Sequence, residues 1–137
     1  MQHFKDACVS YNGSRPKIMR LHHTYVSSDN ADTDAAAVEL SKFYNYFGAW
    51  FQNKRTVSQG HIDPLTADDI QNNKMMSAEN LKRDLTIGTS AEVIDQIKKY
   101  EDLGYDEFSM WLDNGMTFER KRDSLSRFIN EVMPAFS

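Results

Sequence analysis

Arg20, His22 and His23 lie in one largely apolar run, Ile18 to Val26, and carry the side chains best suited to chemistry. A guanidinium grips anions through paired donors, and an imidazole exchanges a proton near neutrality. The run reads as a strand, whose side chains alternate, so the adjacent histidines point to opposite faces and cannot share one metal ion. Met19, Leu21, His23 and Tyr25 make one face; Ile18, Arg20, His22, Thr24 and Val26 make the other. If the bulkier apolar face meets helices, Arg20, His22 and Thr24 turn towards a site. The plainer account is a set of polar residues at a strand end, one of them bonding a backbone carbonyl.

Trp111 and Asp113 form a second candidate pair. From Glu107 to Leu112 the alternation is again two-fold, with Phe108, Met110 and Leu112 suited to packing against helices and Ser109, Trp111 and Asp113 on the side that holds the polar groups. The element before this strand is marked clearly. Thr89 to Glu92 has the form of a capping box that starts a helix. Val93, Ile94, Ile97 and Tyr100 follow at helical spacing, opposite Asp95, Gln96, Lys98 and Lys99. Gly104 stands where a left-handed stop is needed.

Other chemistries lack their patterns. There is no H-E-x-x-H, no pair of cysteines, no P-loop, no G-x-G-x-x-G and no G-x-S-x-G. The acidic residues fall mostly on helix surfaces and in turns, so a carboxylate pair for glycoside chemistry is not supported.

The order and spacing of several pieces resemble the C-terminal end of the bacterial luciferase-like, flavin-dependent monooxygenases. They are Ile87-Gly88-Thr89, Glu92-Val93-Ile94, Tyr100-Glu101-Asp102, Gly104, Asp106, Phe108, Trp111, Asp113, Gly115 and Glu131-Val132-Met133-Pro134. The triplet Arg20-Leu21-His22 is similar to an R-L-H triplet of the alkanesulfonate monooxygenases, where both polar residues line the site. Aligning Tyr25-Val26 with the family ending places His23 there instead, so both histidines stay open.

The resemblance implies an α/β fold, the C-terminal portion of a (β/α)8 TIM barrel, with the last two strand-helix units and a helical insertion between them. A whole barrel takes about 250 residues, and this chain has 137, so it reads as a single partial domain. The implied chemistry is the reaction of reduced FMN with oxygen to a flavin peroxide that attacks a small organic substrate, with a separate flavin reductase as partner. Arg20 would then face the peroxide or an anionic substrate, His22 (or His23) would orient or protonate, Trp111 would wall the pocket, and Asp113 would fix a neighbouring donor. Two alternatives stand beside this. One is a non-catalytic assembly module whose strand edges pair with another copy or with a missing N-terminal segment; the other is a deazaflavin F420-dependent oxidoreductase of the same fold.

The remaining elements are read from local signals. Residues 1 to 11 suit a helix with Phe4, Ala7, Cys8 and Tyr11 on one side, stopped by Asn12-Gly13 and Pro16. A helix from Ala35 to about Tyr46, capped by Thr33 or Asp34, carries Val38, Leu40, Phe43 and Phe47 as an apolar stripe. The tract Tyr44 to Phe51 is dense in aromatic rings and reads as core, while the resemblance implies that this region can cover a flavin. A mobile loop is expected over about 52 to 80, with a short turn capped by Thr66 and with Lys54, Arg55 and His61 as anion contacts. Phe118 to Met133 suits a helix with Phe118, Leu125, Phe128, Ile129 and Val132 on one side, ended by Pro134.

The net charge of −4 and the lack of a basic run argue against a nucleic-acid partner. The lone Cys8 fits a reducing, cytoplasmic setting, and no apolar run approaches the roughly 18 residues of a membrane span.

Overall fold

The computed structural model describes residues 2–13, 15–52, 55–113 and 115–137, with residues 10–12 as backbone only. The elements are α1 (Gln2–Asn12), β1 (Met19–Val26), α2 (Asn30–Phe51), β2 (Val57–Ser58), β3 (His61–Ile62), α3 (Ala67–Asn72), α4 (Ala78–Asp84), β4 (Thr86–Gly88), α5 (Ser90–Asp102), β5 (Glu107–Trp111) and α6 (Phe118–Arg127). A wide turn, Phe128–Val132, and a tight one, Met133–Phe136, follow α6. The chain is therefore α/β, with a parallel three-stranded sheet in the order β4-β1-β5.

Both faces of the sheet are covered towards the C-terminal ends of the strands. On one side Val26 packs with Val93 and Ile97 of α5 and with Val132, and Phe108 and Phe128 close the cluster. On the other, Tyr25 and Ile87 pack against Ala36, Ala37 and Leu40 of α2 and Leu81 of α4. Each fully buried side chain of the size of Leu40 contributes about 1.5–3 kcal/mol. At the other end of β1 the second face is bare, with Met19 52% and Leu21 53% exposed.

Local signals place α5. The backbone N–H of Thr89 donates to the Glu92 carboxylate at 2.8 Å, and the Thr89 hydroxyl donates to the same oxygen at 2.9 Å. Gly104, at φ +85°, ends the helix, and its N–H donates to the Glu101 carbonyl at 2.7 Å. Gly88 must be glycine for space: a Cβ there would lie 2.7 Å from Glu92 Oε2 and 2.9 Å from Glu92 Cβ. Gly88→Ala is expected to displace the capping carboxylate and cost about 1–2 kcal/mol, as loss of a helix cap does, measured as a shift in the urea midpoint.

Several expectations are corrected. The long helix α2 begins at Asn30, because the Asp29 carboxylate, rather than Thr33 or Asp34, accepts from the Asp32 N–H at 2.9 Å. Its buried face is Thr33, Ala36, Ala37, Leu40, Ser41 and Asn45. Small side chains let the helix lie close to the sheet, and the larger Val38 and Phe47 of the expected stripe stay exposed. Phe4 of α1 is also exposed, and Tyr11's side chain lies outside the described residues. After α2 the span expected as a loop with a Thr66-capped turn carries that turn as α3, and also the β2-β3 hairpin and the start of the Ser77-capped α4. The Thr86–Gly88 stretch, just before the Thr89-Glu92 box, is a third parallel strand.

The last helix regularises only to Arg127, and Phe118 and Ile129 face solvent. What holds it to the sheet is Ser124, fully buried, whose hydroxyl oxygen accepts from the Val26 N–H at 2.7 Å. Among the described residues, no helix is long and apolar enough to cross a membrane.

Candidate active site

Register decides which candidates can meet. In the β1-β5 ladder, Arg20 lies opposite Phe108, His22 opposite Met110 and His23 opposite Trp111. Paired residues in a parallel sheet share a face. Phe108 packs under α5, so Arg20 and His22 are on that helix-covered side as well. The expectation that Arg20 and His22 share a face with Trp111 and Asp113 is thus corrected. His23 takes that place.

Arg20, His22 and their partners form a partly buried polar cluster under α5. The Arg20 guanidinium lies 5.2 Å from the centre of the Tyr100 ring, and its Nη2 donates to His22 Nε2 at 3.1 Å. A guanidinium can only donate, so Nε2 is the acceptor and the neutral imidazole carries its proton on Nδ1. That N–H donates to Thr86 Oγ1 at 2.8 Å, with the Tyr100 oxygen at 3.3 Å. Burial first, and then the Arg20 charge, push the His22 pKa down to about 4. Arg20 Nε is buried without a hydrogen-bond partner among the described residues.

On the opposite face, where the last residue of β5 meets the middle of β1, His23 and Trp111 stack with ring centres 3.9 Å apart and planes 18° apart. The His23 Nε2–H donates to the Asp113 carbonyl at 3.3 Å. Its Nδ1 then accepts from the Tyr44 hydroxyl of α2. Burial raises the Tyr44 pKa and lowers that of His23, so the phenol stays a donor and the imidazole stays neutral. With 1% of its surface exposed, His23 braces Trp111 from behind.

Phe43 and Phe47 complete an aromatic corner. Their rings are 17° from parallel with each other, and they stand at 88° and 77° to Trp111, with centres about 6.1 and 6.2 Å away. Phe47 is 38% exposed, and Trp50 and Phe51 continue the ridge at 65% and 66%. The aromatic tract expected as core is therefore largely a surface.

The Asp113 carboxylate is exposed and pairs with Lys121 at 3.3 Å, while the hydrogen bond to His23 is made by the Asp113 backbone carbonyl. Arg55 is engaged by the carbonyls of Asp63 and Pro64 and by Asp69. His61 is exposed in β3, and Lys54 lies outside the described residues. Thr86, Tyr44 and Tyr100 carry no local signal as site residues, since their partners are 64, 21 and 78 positions away along the chain. Among the described residues, no group of three or more His, Cys, Asp or Glu is placed to hold a metal ion.

The corner and the bare strand face suit the planar, mostly apolar ring of a flavin. They do not suit its phosphate. The cations at this end of the sheet are engaged by the chain itself, Arg120 by Asp32, Lys121 by Asp113 and Arg127 by the Val26 carbonyl.

No protein-family model matches the chain. Over an alignment of 138 residues that takes in all of it, the chain is 51% identical to the flavin-dependent trigonelline monooxygenase, oxygenase component, of Acinetobacter baylyi (strain ATCC 33305 / BD413 / ADP1). It spans 38% of that relative's length, in its C-terminal part.

Proposed function

We propose that this chain is part of the oxygenase component of a flavin-dependent monooxygenase, corresponding to the C-terminal portion of a luciferase-like barrel, with FMN as the flavin. The observation that carries the reading is the His23-Trp111 stack, with Trp111 at the C-terminal end of β5, the end at which barrel enzymes keep their sites. The likeness to a flavin-dependent oxygenase component supports it. Reduced flavin supplies the electrons and the activation of oxygen, and a separate reductase supplies the reduced flavin.

The chain's own residues bind and shield. Trp111, Phe43 and Phe47 wall the ring, and His23, held by Tyr44 and the Asp113 carbonyl, fixes the angle of Trp111. Met19 and Leu21 extend the apolar floor and exclude water. Arg20 and His22 act from the far face by holding β1 against β4 and α5, as positioning residues. The substrate is a small aromatic of the kind represented by trigonelline, an N-methylated pyridinium carboxylate.

Anaerobic titration with reduced FMN tests this, with the deazaflavin F420 in parallel. Weak, saturable FMN binding is expected, lost in Trp111→Leu. No binding by the folded chain, alone or with the N-terminal part of the relative added, would sink the reading, and preference for F420 would move it to a deazaflavin enzyme. The exposed Met19 and Leu21 favour a second reading, an assembly module whose bare sheet face pairs with another copy or an N-terminal segment. Sedimentation of the same samples separates the two: dimers without flavin binding favour the module.

A further inference from the structure

We infer that the cavity between the second half of α5, the start of β5 and the two turns after α6 binds an apolar molecule that carries a protonated primary amine. This cavity lies away from the flavin corner and does not depend on it. Phe108, in its wall, is on the α5 side of the sheet, and Trp111 is on the other.

The cavity is open to solvent and holds about 410 Å³, within the roughly 300–1,000 Å³ of small-molecule sites. Tyr100 comes from α5, Tyr105 and Phe108 from the chain around the start of β5, and Phe128, Met133 and Phe136 from the turns. These walls stand before a ligand arrives. Tyr100 and Phe108 are 14° from parallel with ring centres 6.1 Å apart, and Tyr105 stands at 78° to Tyr100, so the rings brace one another.

Charge then selects among apolar ligands. The charged residues of the lining are all acidic, Glu101, Asp106 and Glu107. Two of them are already engaged: Arg15 holds Asp106 through both oxygens, with Lys5 acting on the same carboxylate, and Lys17 reaches Glu107 at 3.3 Å. The Glu101 carboxylate makes no hydrogen bond or ion pair among the described residues. An ammonium group donates to it while the apolar body lies against ring faces, whose negative potential also favours a nearby cation. An anion would meet the carboxylates, and a neutral ligand would gain burial alone. A quaternary pyridinium has no N–H to give to Glu101, which sets this ligand class apart from the substrate proposed above.

Tyr100 connects the cavity to the sheet. Its hydroxyl oxygen lies 3.3 Å from His22 Nδ1, so a ligand against this ring bears on the cluster that holds β1 to β4.

The test uses the full chain, labelled with ¹³C in the methionine methyl groups, and follows Met133, assigned by its loss in Met133→Leu. The probes are naphthylethylamine, protonated at neutral pH, and naphthylethanol, its neutral counterpart. Saturable shifts are expected with the amine binding roughly 3- to 30-fold more tightly, the range that an exposed ion pair and a ring contact supply together. Glu101→Gln, at an exposed position, is expected to bring that ratio towards one and to leave the urea midpoint unchanged.

Equal affinity of the folded chain for the two probes, a ratio that persists in Glu101→Gln, or no saturable binding of either would overturn the inference. So would shifts confined to Met19, on the bare face of the sheet. Flavin titration of the same samples reads the opposite face through Trp111, so either result there leaves the amine site standing or falling on its own probes.

Discussion

Lowering the pH from 6.5 to about 4 is expected to remove roughly 3 kcal/mol of folding stability, through His22. In the unfolded chain this imidazole takes up a proton near pH 6.5; in the folded one, burial and the Arg20 charge hold the pKa down to about 4. Between those values the unfolded state binds more protons, so stability falls as pH falls and the effect levels off below pH 4. The cause is structural. Protonating Nε2 would remove the acceptor for Arg20 and set two cations 3.1 Å apart, at a histidine only 8% exposed.

Two other groups bear on the same curve. His23 is also depressed by burial and adds a slope of the same sign, while Asp84 works weakly against the His22 shift. Carboxylates held low, such as Asp69 at about 2, enter only in more acid solution. Urea unfolding between pH 7 and 4 measures the slope, and His22→Gln is the comparison. Its amide can still accept from Arg20 and donate to Thr86 without titrating, so most of the slope should vanish. A slope unchanged in that variant would remove His22 as its source.

Asp32→Ala is expected to cost about 2–3 kcal/mol, as loss of hydrogen bonds to a largely buried charge does. The Asp32 carboxylate accepts from Arg120 Nη2 at 2.5 Å, from the Tyr25 hydroxyl at 3.1 Å and from the Ser28 N–H at 3.0 Å. Burial alone would raise its pKa, but these donors outweigh burial and leave it lowered. The cluster ties the start of α2 to β1 and to α6, with Arg120 also lying 5.4 Å from the centre of the Tyr25 ring. Removing the carboxylate leaves a guanidinium and a buried phenol without their acceptor. Partial solvent access, 19% for Asp32 and 32% for Arg120, keeps the cost below that of a fully buried pair. The urea midpoint at pH 7 reads the effect; Asp32→Asn should recover part of it, because its amide oxygen still accepts. A change within about 0.5 kcal/mol, the usual range for surface sites, would show that the cluster is not needed.

Short-range signals were readable without the fold. The Thr89-Glu92 box, the Gly104 stop, the Thr66 cap and the extent of β1 all depend on residues a few positions apart, whose geometry is set by the backbone they share. The aromatic tract was visible too, yet its exposure was not, because composition says nothing about which side of a helix a sheet will occupy. Small residues such as Ala36 and Ala37 won the buried face of α2 by allowing close approach.

By itself, the sequence determined that β1 has two faces, that His22 and His23 lie on different ones, and that α5 precedes a second strand. Only the tertiary structure decided which face carries the site. Alternation is symmetric until a register breaks it: the pairing of Arg20 with Phe108 and of His23 with Trp111 puts the first pair under α5 and the second at the aromatic corner. The partners that complete each histidine, Thr86 and Tyr100 for one and Tyr44 for the other, arrive from distant segments, and no local rule brings them together.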